Sequence, residues 1–174
     1  MKKVTFLLAT LLIGGLMLTG CKKDNPQTPD TPTTPTTPTE TTKTFVYKVN
    51  NTFQTMSDDT GALTTHTISP CFHYTFSYKD ADGKMVEVTD ATLPWTKEIS
   101  VKTPFEARLK GKVTYNESEI PTPVFFGALA SIEQSTENQT KPGKGMYFED
   151  KEDFLEYIAT NSQLLEFDYT LSIN

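Results

Sequence analysis

The sequence predicts an all-β protein, an immunoglobulin-like antiparallel β-sandwich with one short helix before its C-terminal strand. Three observations carry that expectation. Apolar and polar residues alternate with period two from Thr44 onward, turn-forming clusters recur every ten or so residues, and a single stretch keeps helical spacing. A small closed barrel is the competing architecture, since it too is built from short antiparallel strands.

The clearest alternation runs from Phe105 to Tyr115. Phe105, Ala107, Leu109, Gly111, Val113 and Tyr115 fall on one side, and Glu106, Arg108, Lys110, Lys112 and Thr114 on the other. One side is core and the other faces water. The same pattern marks Phe45, Tyr47 and Val49; Phe72, Tyr74, Phe76 and Tyr78; Trp95, Ile99 and Val101; and Leu165, Phe167, Tyr169, Leu171 and Ile173. Val124 to Ile132 is less polar throughout, which predicts one central strand covered on both faces. Ser57 to Gly61, Asp80 to Gly83 and Ser135 to Gly145 separate these runs, and Asp82-Gly83 ahead of Met85 to Val88 signals a hairpin. From Asp150 to Thr160 the period changes. Phe154, Leu155 and Ile158 sit at helical spacing, Asp150 is placed to cap, and Glu152 and Asp153 occupy the first turn, where the helix dipole favours negative charge.

The N-terminus reads differently. Residues 1–20 have the form of an export signal peptide, with Lys2 and Lys3 ahead of an apolar run from Phe6 to Leu18 that is too short for a comfortable bilayer span. Leu18-Thr19-Gly20-Cys21 resembles the lipobox cut by the lipoprotein signal peptidase, which implies a lipoprotein acylated on Cys21. Several acyl chains on one residue, at about 0.8 kcal/mol per buried CH₂, make such an anchor effectively permanent. No Asp follows Cys21, so the inner-membrane retention signal of enterobacterial lipoproteins is missing and the expected location is the outer membrane. Periplasmic face and cell surface are both compatible with this leader. Residues 21–43 then form the lipidated cysteine and a tether, with proline at every third position from Pro26 to Pro38 and mainly Thr and Asp between. A stretch with no apolar face to bury stays extended, and at about 3.1 Å per residue it holds the domain up to roughly 70 Å from the lipid. A Pro-motif ligand or a Thr-glycosylated stalk would share this composition. Residues 44–174 make a single domain, large enough for a genuine core.

The 16 basic residues less the two leader lysines leave 14 against 22 acidic, a mature net charge of about −8. That disfavours nucleic acid and direct adhesion to anionic headgroups as partners. Beyond Cys21 the only cysteine is Cys71, so no disulfide forms within the chain, and its neighbours Phe72, Tyr74 and Phe76 predict burial over reactivity.

Tyr74-Thr75-Phe76-Ser77-Tyr78-Lys79-Asp80-Ala81-Asp82-Gly83 followed by Leu93-Pro94-Trp95-Thr96-Lys97 resembles small Bacteroidetes lipoproteins of unassigned function. More distantly it is similar to the extracytoplasmic domain of the mycobacterial MmpS proteins. The resemblance covers about 25 residues and implies a β-sandwich whose corner tryptophan packs on the sheet. Through MmpS it also implies an accessory role at an envelope transporter. The tether and the C-terminal helix and strand have no counterpart in that pattern.

No catalytic residues stand out: the nucleophile elbow, phosphate loop and zinc-protease motifs are all missing. Asp80, Asp82 and Glu87 offer oxygens around a turn, but Lys84 breaks calcium-loop spacing, and Cys71, His66 and His73 converge too poorly for zinc. No metal and no cofactor is therefore expected. Glu149, Asp150, Glu152, Asp153 and Glu156 fit an ordinary solvated helix N-terminus better than a docking site for a basic partner. Trp95, Tyr74 and Tyr78 are the candidate ligand platform, although Trp95, set between a proline and the in-phase Ile99 and Val101, is expected to pack inward. The resulting expectation is a non-enzymatic binding module, membrane-anchored through Cys21, that contacts an envelope protein or a glycan. A transport accessory subunit and a small hydrolase with an unrecognised site are the alternatives.

Overall fold

A computed structural model describes residues 40–57 and 59–174. The export signal, Cys21 and nearly all of the tether lie outside the described residues. The chain from Thr42 onward is a β-sandwich of antiparallel sheets with no closed barrel among the described residues. Its strands are β1 (Thr42–Val49), β2 (Thr52–Met56), β3 (Leu63–Thr67), β4 (Phe72–Lys79), β5 (Met85–Val88), β6 (Trp95–Lys102), β7 (Phe105–Tyr115), β8 (Val124–Gly127), β9 (Ala130–Glu133), β10 (Gly145–Phe148) and β11 (Glu166–Ile173), with helix α1 (Lys151–Thr160) before the last.

One layer is the sheet β6-β1-β9 and the other β11-β7-β4-β5. The alternating residues meet between them. Phe45, Tyr47 and Val49 of β1 are fully buried, as are Leu109 of β7 and Ile132 of β9, and each such side chain contributes roughly 1.5–3 kcal/mol by leaving water. Aromatic pairs bridge the layers, Phe45 to Phe105 at 5.6 Å and Tyr47 to Tyr78 at 5.4 Å. The Tyr47 hydroxyl donates to the Lys79 carbonyl at 2.7 Å, so the buried phenol keeps a partner. Helix α1 closes one side. The Asp150 carboxylate accepts from the Asp153 amide at 2.8 Å, and Phe154 sits among Phe72, Tyr115, Phe126 and Phe148.

Gly111 of β7 has no room for a side chain. It stands in register between Phe76 of β4 and Phe167 of β11, and a Cβ there would lie 2.5 Å from the Phe76 Cβ and 2.6 Å from the Phe167 ring. Two phenylalanines thus cover a strand glycine from both sides, which keeps the core closed where Gly111 has no side chain.

Five strands depart from the sequence expectation. Val124 to Ile132 is two strands, because the chain turns at Ala128 and Leu129, where the Ala130 amide donates to the Ala128 carbonyl at 3.1 Å. β8 pairs with β10 and β9 pairs with β1. The hairpin β2–β3 and strand β10 carry little apolar alternation and add to the expected set.

The ends of β1 define two poles. Where the chain enters, the Thr103 amide donates to the Thr41 carbonyl at 3.0 Å, and Phe105 pairs with Ile173. At the far end, after the roughly 23 Å that an eight-residue strand spans, the chain passes Asn50 directly into β2 and β3.

Candidate binding surface at the far pole

Hairpin β2–β3 lies across the β8–β10 ribbon. Phe53 pairs with His66 across the hairpin, Phe125 pairs with Tyr147 across the ribbon, and the facing pairs form one cluster of rings. His66 stacks on Phe125 with centroids 4.8 Å apart and planes 19° apart; Phe53 lies 5.3 Å from His66 and Tyr147 lies 5.4 Å from Phe125. Thr55 Oγ1 sits 2.8 Å from His66 Nε2 and fixes the imidazole. The hairpin can approach so closely because the Phe53 ring rests on Gly145, where any Cβ would fall inside the ring. Unlike the core rings, this cluster meets solvent: Tyr147 is 49% exposed, and Phe53, His66 and Phe125 are partly exposed.

The other face of the hairpin carries Thr52, Gln54 and Met56 opposite Thr67, Thr65 and Leu63, all exposed. Met56 and Leu63 form a cross-strand apolar pair, 65% and 63% exposed. The pair leaves apolar surface in water at the hairpin tip.

Beside the hairpin root is a slot of about 640 Å³, the more enclosed of the two main concavities. One wall is the first half of β4, from Phe72 to Thr75, and the other is Asp90, Ala91 and Leu93. β5 pairs with β4 only from Phe76 to Lys79. Beyond Val88 the chain turns away at Asp90, whose φ of 53° lies in the left-handed region that aspartate tolerates better than most residues.

The expected platform of Tyr74, Tyr78 and Trp95 has a different place. Tyr74 and Tyr78 are 5% and 8% exposed and belong to the core; the Tyr74 hydroxyl donates to the Gly127 carbonyl at 2.7 Å, and burial pushes its pKa upward. Trp95, partly buried, packs on Phe76 at 4.8 Å and Tyr78 at 5.5 Å. The three rings form no exposed platform, because the inward phase of β4 buries both tyrosines and Trp95 leans on that same strand. Elsewhere Tyr157 of α1 is also exposed. The far-pole rings are those of Phe53, His66, Phe125 and Tyr147, none of which the alternation singled out. Their signal was faint: Phe125 and Tyr147 stand out of phase with the buried Phe126 and the partly buried Phe148.

Cys71 is buried, and desolvation raises its thiol pKa, the opposite of what a nucleophile needs. The Asp80 carboxylate accepts from the Asp82 and Lys84 amides at 3.0 and 2.8 Å, with Gly83 at a φ of 81°, so it serves the hairpin turn. The second concavity, also about 640 Å³, crosses the outer face of β11-β7-β4-β5. There Arg108 donates to both Asp168 oxygens at 2.9 and 2.6 Å, and that hydrogen bonding raises the guanidinium pKa and lowers that of the carboxyl. That ion pair takes up two of the charges on this open face. No described helix is long and apolar enough to cross a membrane. No protein-family model matches the chain, and no curated protein matches it.

Proposed function

We propose that the chain is a lipoprotein anchored in the outer membrane through Cys21 and held off by its Pro/Thr tether, and that its domain is a non-enzymatic interaction module whose contact surface is the far pole. The observation that carries this reading is one of placement. The exposed aromatic cluster and the Met56–Leu63 pair sit at the opposite end of β1 from the point where the tether joins it. An anchor at one end leaves the other free to meet an envelope protein or a glycan.

The test is site-specific crosslinking on intact cells. A photoreactive phenylalanine analogue at position 147 is expected to trap a partner that the same analogue at position 106, near the opposite pole, does not. Substituting Met56→Ser together with Leu63→Ser is expected to abolish that adduct. Equal labelling from both positions overturns the far-pole reading. Protease shaving of the same cells then separates cell surface from periplasmic face, and labelling with a radioactive fatty acid, lost in Cys21→Ser, tests the anchor.

A further inference from the structure

We infer that the slot beside β4 receives an extended, basic peptide segment of a partner protein, which pairs with β4 from Phe72 to Thr75 as an added strand. The inference deepens the interaction-module reading and rests on it. β4 pairs with β7 along its length but with β5 only over its second half, so among the described residues its first half has no strand on that side. Backbone donors and acceptors along an unpaired edge are the template for strand addition.

Two other edges of this domain carry features that discourage pairing. β6 displays Lys97, Glu98 and Lys102, and β5 is four residues long and carries Glu87. The first half of β4 instead lines one wall of a slot, with Asp90, Ala91 and Leu93 on the other. The slot volume of about 640 Å³ fits a segment of about four or five residues, within the range of ordinary ligand sites.

The slot's chemistry also narrows the occupant. Asp90 is the only acid among the lining residues and no lysine or arginine lines the slot, while the mature chain as a whole is acidic. A lysine or arginine on the incoming strand answers both. Asn51 spans part of the wall, its amide donating to the Leu93 carbonyl at 3.5 Å. Side chains on one face of the added strand would meet His73 and Thr75, the two outward residues of this half of β4.

The experiment uses the full chain in detergent, labelled for amide hydrogen exchange, and an acetylated, amidated hexapeptide of alternating valine and lysine as probe. Binding is expected to slow amide exchange between His73 and Thr75, since the Phe72 amide already donates to the Ser69 carbonyl at 3.3 Å. A peptide N-methylated at every second residue is expected to lose binding, because its edge donors are gone. Asp90→Asn keeps the left-handed turn and removes the charge, and is expected to weaken the lysine peptide about threefold to fivefold, the size of an exposed ion pair. Ala91→Trp, which fills the slot from its far wall, is expected to weaken it more than about tenfold. Protection confined to other strands, binding that survives N-methylation, or no binding at millimolar peptide overturns the inference. If crosslinking at position 147 persists in that case, the interaction module stands and only the slot's occupant is removed.

Discussion

The sandwich body and the β2–β3 hairpin use aromatic residues in opposite ways. In the body, Phe45, Tyr47, Phe76, Phe126 and Phe154 are enclosed and lock two layers and a helix together. At the hairpin, Phe53, His66, Phe125 and Tyr147 pack on one another yet keep part of their surface in water. Both groups gain ring-to-ring attraction, but only the first gains full removal from solvent. The body is therefore where stability resides, and the hairpin is where aromatic surface stays in water.

Substitutions can break or sharpen that contrast. Phe154→Ala removes a fully buried ring shared by β4, β7, β8 and β10, and is expected to cost about 3–5 kcal/mol in urea unfolding. Gly111→Ala forces a methyl between Phe76 and Phe167 and is expected to cost about 2 kcal/mol by the same measurement. A null result at either position would mean that the layers are looser than their contacts imply. Gly145→Ala displaces the Phe53 ring, and the expected result is local: hairpin amides exchange about tenfold faster while the global unfolding midpoint moves little. If the midpoint falls as far as in Phe154→Ala, hairpin and body are one cooperative unit.

The smallest effect is electrostatic. Hydrogen bonding from Arg108 holds the Asp168 carboxyl below its ordinary range, so the folded state binds that proton less readily than the unfolded chain. Its stabilisation is present above the unfolded carboxylate pKa of about 3.9 and is lost as pH falls through the lower folded value. Asp168→Asn is expected to narrow the acid limb of the stability profile and to leave neutral pH little changed, because the pair is exposed on an open face.

The body was legible from sequence because burial on one face imposes a period of two. The phases of β1, β4, β6, β7 and β11, the Asp150 cap and the Asp82-Gly83 turn all follow from rules that act within a few residues. The hairpin obeys no such period. Thr52 to Met56 and Leu63 to Thr67 alternate threonine with polar and apolar residues alike, since one face rests on a ribbon and the other on water. The division of Val124 to Ile132 between two sheets was hidden for the converse reason, because a run apolar throughout gives no phase to read. Tyr74 and Tyr78 were drawn into a platform by residue type, whereas their phase, shared with Phe72 and Phe76, already assigned them to the core. The slot depends on where β5 stops pairing, which is a matter of sheet geometry that no local pattern encodes.

The central position of β1 has a mechanical consequence. A pull between Glu40 and the far pole runs along β1, which is paired at eight positions with β6 and at four with β9. Ladder hydrogen bonds lie perpendicular to their strands, so this load is shared across them at once and does not open them one at a time. Pulled along that axis, the domain meets force in shear, and β1 is expected to resist being drawn out of its sheet more than it would resist a pull across its ladders.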